Sequence, residues 1–354
     1  MCGRPRLSFK NRVVHFMVTE TIRCTNVPTP VSRIGLGTWA IGGWLWGGSE
    51  EAESIATIQQ AVDQGINLID TAPVYGFGRS EEIVGKALAE GGRRAHTVLA
   101  TKVGLEWTED GKVFRNSTPA RIQKEIEDSL RRLRTDRIDI YQVHWPDSLV
   151  PIEETAETLL ALQKQGKILA LGVSNFSPEQ MDRWRRVAPL HTNQPPYNIF
   201  EREIEKDVLP YSLEHGLVVL SYGAICRGLL SGKVTADRKF PESDLRSWDP
   251  KFQPPRIHQY LAAVERLADY AKKRHNRSIL SFAIRWILDR GDTMTALWGA
   301  RSAKQLEGVH EAFGWKLTAE DYTEVDRLLQ ETITDPVGPE FMAPPHRDEK
   351  ADSK

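Results

Sequence analysis

Residues 66–75 read INLIDTAPVY, an apolar stretch that ends in a carboxylate and is followed closely by a phenol. Side chains of an extended chain alternate between two faces, so Ile66, Leu68 and Asp70 share one face. This alternation predicts a strand whose inward face is apolar and ends in a charged group. We therefore predict a strand that ends near Asp70, with Tyr75 in the turn beyond it.

Two further stretches repeat this pattern. Residues 97–102 read TVLATK and residues 138–145 read IDIYQVHW. Counted in steps of two, their inward faces end in Lys102 and His144, and Asp139 falls on the opposite face. The remaining inward positions are Val98, Ala100, Ile138, Ile140 and Gln142. Three consecutive strands thus aim polar side chains at one place.

The four polar groups predict an acid catalyst. Tyrosine is a weak acid, with a reference pKa of about 10, and a nearby lysine cation favours its ionised form. Asp70 is predicted to hold Lys102, which lowers the pKa of Tyr75, and His144 to orient the group that receives the proton. This chemistry suits protonation of a carbonyl oxygen while hydride reaches its carbon. A pair of catalytic carboxylates, as in a glycosidase, is disfavoured because Asp139 points away.

Strand and helix patterns alternate through the whole chain without a flexible linker. This predicts an α/β fold of the (β/α)8 TIM-barrel type, with its active site at the carboxyl ends of the strands. A doubly wound sheet is the competitor, but the G-x-G-x-x-G turn that it normally carries is absent. The eight predicted strands are RIGLGT (33–38), INLIDT (66–71), TVLATK (97–102), IDIYQV (138–143), ILALGVS (168–174), HTNQPP (191–196), LVVLSY (217–222) and TALWGA (295–300).

Local signals place several helices and loops. Proline after Thr118 and a capping box at Ser177 predict two helix starts, and a third helix is predicted after Ser49. The glycine-rich stretch 35–48 is interpreted as a loop that closes one side of a pocket. The long connection 223–254 is interpreted as a flap over an anionic ligand, with a solvated surface loop as the alternative.

Composition narrows the class of protein. Lysine plus arginine (47) nearly balance aspartate plus glutamate (48), which argues against nucleic acid or an anionic membrane as partner. Three cysteines without metal-ligand spacing predict a reducing, cytoplasmic location and no metal site. We expect a disordered extension or a mis-assigned start over 1–16, one domain over 17–345 and a charged tail over 346–354.

Several motifs in order resemble the aldo-keto reductase superfamily from about Arg33 to Pro345. LIDTAPVYGFGRSEEIVGKAL, LATK, YQVHWPD, GVSNFS and WGARSAKQLEG are similar to its signature segments. GTWAIGGWLWGG, QPPYNIFERE, CRGLLSGK and DPVGPEFMAPP resemble more closely its bacterial general-stress and inositol-operon branch. The resemblance implies Tyr75 as general acid, Lys102 and Asp70 as groups that tune it, and His144 as the residue that orients the carbonyl.

The resemblance also implies NADPH or NADP⁺ as cofactor. Ser174, Asn175 and Gln194 would hold the nicotinamide carboxamide, and Tyr222 would stack on its ring. Arg301 would bind the 2′-phosphate where a helix opens after the eighth strand, because a helix start and an arginine both favour phosphate. The Lys-Ser/Thr-x-x-x-x-Arg pattern of classical eukaryotic members is missing, so a preference for NADPH over NADH rests mainly on Arg301. The other implied contacts are Thr38, Trp39, Asp70, Gly223, Ala224, Ile225, Cys226, Arg227, Lys233, Arg246, Gly299, Ala300 and Gln305.

The predicted substrate is a small carbonyl compound, or the corresponding alcohol if the enzyme runs in reverse on a polyol or inositol-like molecule. Trp39, Trp46, Trp107 and Trp145 lie in or beside loops at the catalytic end and are predicted to form its apolar pocket. The alternative function is a regulatory protein that senses NADPH with little turnover. No particular oligomeric state follows from the sequence.

Overall fold

The computed structural model describes residues 19–347. The predicted N-terminal extension, 1–16, and residues 348–354 of the predicted tail lie outside this range. The strands of the described part are β1 (Thr21–Ile22), β2 (Val31–Ser32), β3 (Ile34–Gly37), β4 (Leu68–Asp70), β5 (Val98–Val103), β6 (Leu105–Trp107), β7 (Val113–Arg115), β8 (Ile138–Val143), β9 (Ile168–Ser174), β10 (Thr192–Gln194), β11 (Val218–Ser221) and β12 (Met294–Gly299).

Helices separate most of these strands. They are α1 (Trp39–Gly42), α2 (Glu51–Asp63), α3 (Arg79–Ala89), α4 (Pro119–Leu133), α5 (Ile152–Lys164), α6 (Pro178–Arg185), α7 (Val208–Glu214), α8 (Arg256–His275), α9 (Ile279–Leu288) and α10 (Ala319–Thr332). None of them, within residues 19–347, is long and apolar enough to cross a bilayer.

Eight parallel strands close into a barrel in the order β3, β4, β5, β8, β9, β10, β11, β12 and back to β3. Each predicted strand corresponds to one of these eight, so the predicted (β/α)8 fold is confirmed. In a closed parallel barrel all strands end on the same side, which gathers the residues that follow them around one opening.

The apolar side chains form two main layers. Leu68, Val98, Ala100 and Ile140 pack together inside the barrel, as the two-residue alternation predicted. Ile66 and Ile138 belong instead to the layer between barrel and helices. Both precede or begin their strands, where the chain still arrives from the helical layer and the alternation is not yet established. The hairpin β1–β2 packs against the barrel interior from the amino end.

The predicted helix starts are present. Thr118 accepts a hydrogen bond from the Arg121 backbone at the start of α4, and Ser177 forms a capping box with Gln180 at the start of α6. The third, α2, begins at Glu51. Within the glycine-rich stretch, predicted as a loop, the structure adds one helical turn, α1, before a series of turns.

Connections at the carboxyl end of the barrel build the walls of the site. The hairpin β6–β7 follows β5 directly, and the connection 223–254 contains three short 3₁₀ helices rather than a regular helix. After α10 the chain returns to this end, and residues 341–345 there are named the C-terminal wall.

The contact between α3 and α4 generates a prediction about stability. A Cβ atom added at Gly85 would lie 2.3 Å from the Arg132 carbonyl oxygen and 2.9 Å from the Leu133 backbone. Gly85→Ala should therefore lower the free energy of unfolding by about 1–3 kcal/mol, as overpacking does, although alanine favours a helix by about 1 kcal/mol. Urea unfolding followed by tryptophan fluorescence measures the change.

Gly37→Ala is the matched control, because its added methyl group would lie no closer than 3.8 Å to its nearest neighbour, Leu297. Equal unfolding midpoints for the two variants would show that backbone contact does not require a glycine at position 85.

Candidate active site

The structure brings the four predicted catalytic side chains together at the carboxyl end of the barrel. Asp70 ends β4, Lys102 lies near the end of β5, and His144 directly follows β8. The Lys102 ammonium donates to Asp70 Oδ1 at 2.7 Å, to the Thr71 carbonyl at 3.0 Å and to Tyr75 Oη at 3.3 Å. The ring centres of His144 and Tyr75 lie 5.8 Å apart, edge to face.

The backbone of the Tyr75 turn is held by a close approach of two main-chain segments. A Cβ atom at Gly42 would lie 2.6 Å from the Tyr75 carbonyl, and one at Gly76 would lie 2.2 Å from the Gly42 oxygen. Gly76 also has a φ of +68°, which side chains other than glycine rarely adopt. The two glycines therefore allow the glycine-rich stretch to lie directly against the turn that presents the phenol.

Burial dominates the acid–base properties of this group. It raises the pKa of Tyr75 well above the usual value, and the Asp70 carboxylate adds to the rise. The expectation that Asp70 helps to lower the pKa of Tyr75 is therefore wrong, because its negative charge disfavours the phenolate. The lowering by Lys102 remains a prediction, since its ammonium donates to the phenol and favours the ionised form.

Lys102 and His144 are shifted in the opposite direction. Burial lowers the pKa of Lys102, although Asp70 opposes this by pairing with it. Burial and the neighbouring Lys102 charge lower the pKa of His144 well below its usual value. His144 is thus a neutral imidazole, which can donate one hydrogen bond without adding a second positive charge to the site.

A cavity of about 250 Å³, here the apolar cavity, opens beside Tyr75 and His144. Of the predicted pocket tryptophans, Trp39 and Trp145 line it. Trp46 lines the neighbouring cavity instead, and Trp107 is not in contact with either, because its ring packs against Phe77. The other apolar lining residues are Trp44, Leu45, Val74, Leu105, Val113, Tyr222, Trp248, Phe341, Met342, Ala343, Pro344 and Pro345.

The C-terminal wall and Trp248 were not assigned to the pocket by sequence reasoning, and neither were Leu45, Val74, Leu105 and Val113. Phe341 packs edge to face on Trp248, with ring centres 5.4 Å apart. Both residues are far from the tetrad in sequence, and only the folded chain brings them to the opening. The signal that the sequence offered was the apolar, proline-containing run 341–345, which directly precedes the charged tail.

A second cavity of about 170 Å³, here the arginine cavity, adjoins the first and shares Trp39, Tyr75, Tyr222 and Met342 with it. Most of the predicted cofactor contacts line it. They are Thr38, Trp39, Asp70, Tyr222, Gly223, Ala224, Ile225, Arg227, Arg246, Gly299, Ala300, Arg301 and Gln305.

The predicted carboxamide-binding residues lie on the side of the apolar cavity. Asn175 donates to the His144 carbonyl and to Ser174 Oγ at 3.0 Å each, and it accepts from Tyr222 Oη at 2.9 Å. Gln194 donates to Asp70 Oδ2 at 2.9 Å, which connects this group to the tetrad. Asn175 has a φ of +62°, a strained conformation that is found preferentially at functional sites.

Two predicted cofactor contacts do not reach either cavity. Cys226 is buried in the core, and Lys233 is exposed in the connection beyond the 3₁₀ helix. Arg227 lines the arginine cavity but its guanidinium is paired with the buried carboxylates of Glu201 and Asp249. These pairs hold the loop in place, and they leave Arg227 less available to a phosphate than its sequence position suggested.

Arg301 is placed differently. Its Nη1 donates to the carbonyls of Trp46 and Gly48 at 2.8 and 3.0 Å, and within residues 19–347 no carboxylate forms an ion pair with it. Burial and, to a smaller extent, the nearby Arg246 lower the pKa of Arg301, whereas Asp244, which is paired with Arg246, opposes this. A guanidinium that has no carboxylate partner beside a cavity favours an anion there.

One part of the phosphate prediction needs correction. The element after β12 is a short 3₁₀ helix, Ala303–Leu306, rather than an α-helix. A single short turn aligns few peptide dipoles, so the side chain of Arg301 rather than a helix start supplies the positive charge. Gln305 lies in this turn, and its Oε1 accepts from the Arg301 backbone at 2.7 Å.

A barrel that presents a buried tyrosine, hydrogen-bonded to a buried lysine, where two cavities meet has the architecture of a (β/α)8 oxidoreductase. Residues 33–330 match the model of the Aldo/keto reductase family. The chain belongs to this family, which confirms the resemblance drawn from its motifs, and it is an oxidoreductase of that family.

Curated relatives and solved structures support the same family assignment. The chain is 59% identical to aldo-keto reductase YhdN of Bacillus subtilis (strain 168), over 90% of this chain and 96% of that protein. It is 36% identical to the NADH-specific methylglyoxal reductase of Escherichia coli (strain K12), over 83% and 93% of the two chains.

Among solved structures, the glycerol dehydrogenase AKR11B4 from Gluconobacter oxydans has a TM-score of 0.83 and 57% identity, over 91% of this chain and 99% of that one. An aldo-keto reductase from Klebsiella pneumoniae in complex with NADPH has a TM-score of 0.68 and 29% identity, over 91% and 100%.

The contact between Lys102 and Tyr75 generates a prediction about pH dependence. Lys102→Met removes the ammonium that donates to the phenol and leaves the Asp70 charge uncompensated beside it. Both changes disfavour the phenolate, so the pKa of Tyr75 should rise further and the basic limb of the pH profile for carbonyl reduction should move upward. The profile of kcat/KM in the residually active variant measures this.

Lys86→Met is the control, since Lys86 pairs with Glu51 on the surface. A basic limb that stays in place or moves down in the Lys102 variant would contradict the assigned role of Lys102.

Proposed function

We propose that the protein is an NADPH-dependent reductase of a small aldehyde or ketone, with Tyr75 as the general acid. The observation that carries this proposal is the position of Tyr75, which lines both cavities while its hydroxyl accepts a hydrogen bond from Lys102. A proton donor at this junction can reach an oxygen in one cavity while the other cavity holds a reductant. Hydride transfer coupled to protonation needs that arrangement.

The arginine cavity fits a dinucleotide phosphate. Arg301 supplies positive charge, whereas the charge of Arg246 is balanced by its ion pair with Asp244. A side chain added at Gly299 would meet open space, so a phosphate can approach the backbone there. Within residues 19–347 the buried indole N–H groups of Trp39 and Trp46 have no hydrogen-bond partner, which leaves donors for a bound ligand. When bound, NADPH supplies the hydride. The Klebsiella pneumoniae relative, solved with NADPH, supports this choice of cofactor.

Each residue of the tetrad then has one task. Tyr75 donates its proton to the carbonyl oxygen as negative charge develops there. Lys102 donates to the phenol oxygen and stabilises it once the proton has left, and Asp70 holds Lys102 charged despite its burial. His144, neutral at physiological pH, directs an N–H group to the same oxygen. The apolar walls exclude water, which strengthens each of these interactions.

The same groups work in reverse. In the oxidation direction the alcohol would give its proton to the Tyr75 phenolate, which Lys102 stabilises, and its hydride to NADP⁺. The structural similarity to a glycerol dehydrogenase supports oxidation of a polyol or inositol-like alcohol as the physiological direction to be tested alongside reduction. A substrate panel measured in both directions with NADPH and NADP⁺ distinguishes the two.

We also infer a cytoplasmic location. Cys24 and Cys226 are both free and buried within the described residues. Buried free thiols are typical of proteins in reducing compartments. Fractionation of the native host cells would test this.

Tyr75→Phe tests the proposed mechanism. The ring and its contact with Trp39, stacked at 5.8 Å, remain, but the proton donor is lost. Reduction of an aldehyde should fall by about 10²–10⁴-fold, the usual contribution of a general acid, with little change in NADPH affinity. Loss of NADPH absorbance at 340 nm gives the rate, and quenching of protein fluorescence gives the affinity.

Tyr211→Phe is the control, because Tyr211 donates to Asp182 on the outer side of the barrel. A Tyr75 variant with near-normal kcat would exclude Tyr75 as the acid. Tight NADPH binding with negligible turnover by the unmodified protein would favour the sensor function instead.

Arg301→Ala tests the cofactor preference. If Arg301 meets the 2′-phosphate, the variant should lose NADPH affinity far more than NADH affinity, by about 1.5–3 kcal/mol for a charge-assisted contact. The NADH-specific relative shows that family members differ in this preference. Dissociation constants for both cofactors, by fluorescence quenching, decide between the outcomes.

Lys304→Ala is the matched control, since it removes one exposed positive charge from the same 3₁₀ turn. An equal loss for the two cofactors would mean that Arg301 acts only by holding the carbonyls of Trp46 and Gly48.

A further inference from the structure

One arginine binds the two prolines of the C-terminal wall to the rest of the barrel. Arg115, the last residue of β7, donates from its Nε to the Pro344 carbonyl at 3.0 Å and from its backbone N–H to the Pro345 carbonyl at 3.1 Å. Proline has no backbone N–H, so these two residues can be held through their carbonyl groups but cannot pair as a donor in a sheet. Arg115 thus binds both consecutive carbonyls of the wall.

The same side chain reaches the loop that follows His144. Arg115 Nη1 donates to the Pro146 carbonyl at 3.0 Å, and the guanidinium carbon lies 5.1 Å from the centre of the Trp145 ring. Trp145 lines the apolar cavity and directly follows the residue that faces the carbonyl. One guanidinium therefore connects three parts of the cavity wall: the hairpin β6–β7, the loop after β8 and the C-terminal wall.

Neighbouring contacts fasten the ends of the same segment. Beyond the prolines, Arg347 forms an ion pair with the buried Asp147 at 3.3 Å. Before them, Lys251 donates to the Gly338 carbonyl at 2.9 Å. Between these two points, within residues 19–347, Arg115 supplies the side-chain hydrogen bond to the wall, while Trp248, Arg227 and Lys251 contact the Phe341 ring.

We propose that Arg115 is a positioning residue that sets the width of the apolar cavity and so determines which carbonyl compounds are accepted by size. Its fork of donors is suited to this, because a planar guanidinium can serve two carbonyl groups and lie over an aromatic ring at once. The assignment of a substrate to this cavity rests on the proposed function. The part of the proposal in which Arg115 holds the C-terminal wall in place, here called the clasp, rests only on the contacts of Arg115.

Arg115→Ala is the direct test, with two readouts. Hydrogen–deuterium exchange of the peptide that contains 339–347 should become at least about tenfold faster, because hydrogen bonds to a charged donor are strong ones. KM for benzaldehyde, whose ring is bulkier than the side chain of glyceraldehyde, should rise roughly tenfold, as expected for a lost packing contact of about 1.4 kcal/mol. KM for glyceraldehyde and the NADPH dissociation constant should stay within about twofold.

Two further variants make the result specific. Arg115→Lys keeps the charge and can serve one carbonyl, so it should restore part of the protection from exchange and part of the benzaldehyde KM. Lys112→Ala is the control on the same hairpin, since its ammonium contacts only Asp110 among the ion pairs of the described residues. It should leave both readouts unchanged.

Unchanged exchange of 339–347 in the alanine variant would overturn the clasp. Equal increases of KM for both aldehydes, together with weaker NADPH binding, would overturn its role in size selection. If the unmodified protein reduces neither aldehyde, the proposed function fails, and the exchange comparison still decides whether Arg115 holds the wall.

Discussion

The ion pair between Lys102 and Asp70 is the interaction on which the site depends. Both groups are almost completely inaccessible to solvent, and an unpaired charge in such a place is strongly disfavoured. Each can be charged there only because the other lies 2.7 Å away. The barrel meets this requirement through the register of the adjacent strands β4 and β5, which places Asp70 level with Ala100, two residues before Lys102. The pair in turn fixes the ammonium against the phenol, so the strand register determines the chemistry.

Much of the fold and the positions of the tetrad could be predicted from the sequence, because they depend on residues that are close together along the chain. A period of two residues identifies the strands and places Asp70, Lys102 and His144 at their ends, and parallel strands that close into a barrel must bring those ends together. The helix starts at Thr118 and Ser177 were equally predictable, because a cap is a matter of a few neighbouring residues.

What could not be predicted depends on distant parts of the chain. The pKa of Tyr75 rises because of burial, which no strand pattern reveals. Trp107 does not line either cavity, because its ring packs against Phe77. Arg227 has the sequence position of a phosphate ligand, yet it is paired with Glu201 from another connection. The role of residues 341–345 likewise appears only when the end of the chain returns over the opening.

The contact between Gly42 and Gly76 has a consequence for how this site can evolve. The phenol is held in place by two stretches of main chain that touch without any side chain between them. Because backbone atoms are the same in every residue, apolar residues that line the two cavities can change while the location of Tyr75 stays constant. The two glycines cannot change in this way. In proteins that share one reaction but differ in substrate, such a contact would allow the substrate pocket to change while the position of Tyr75 stays the same.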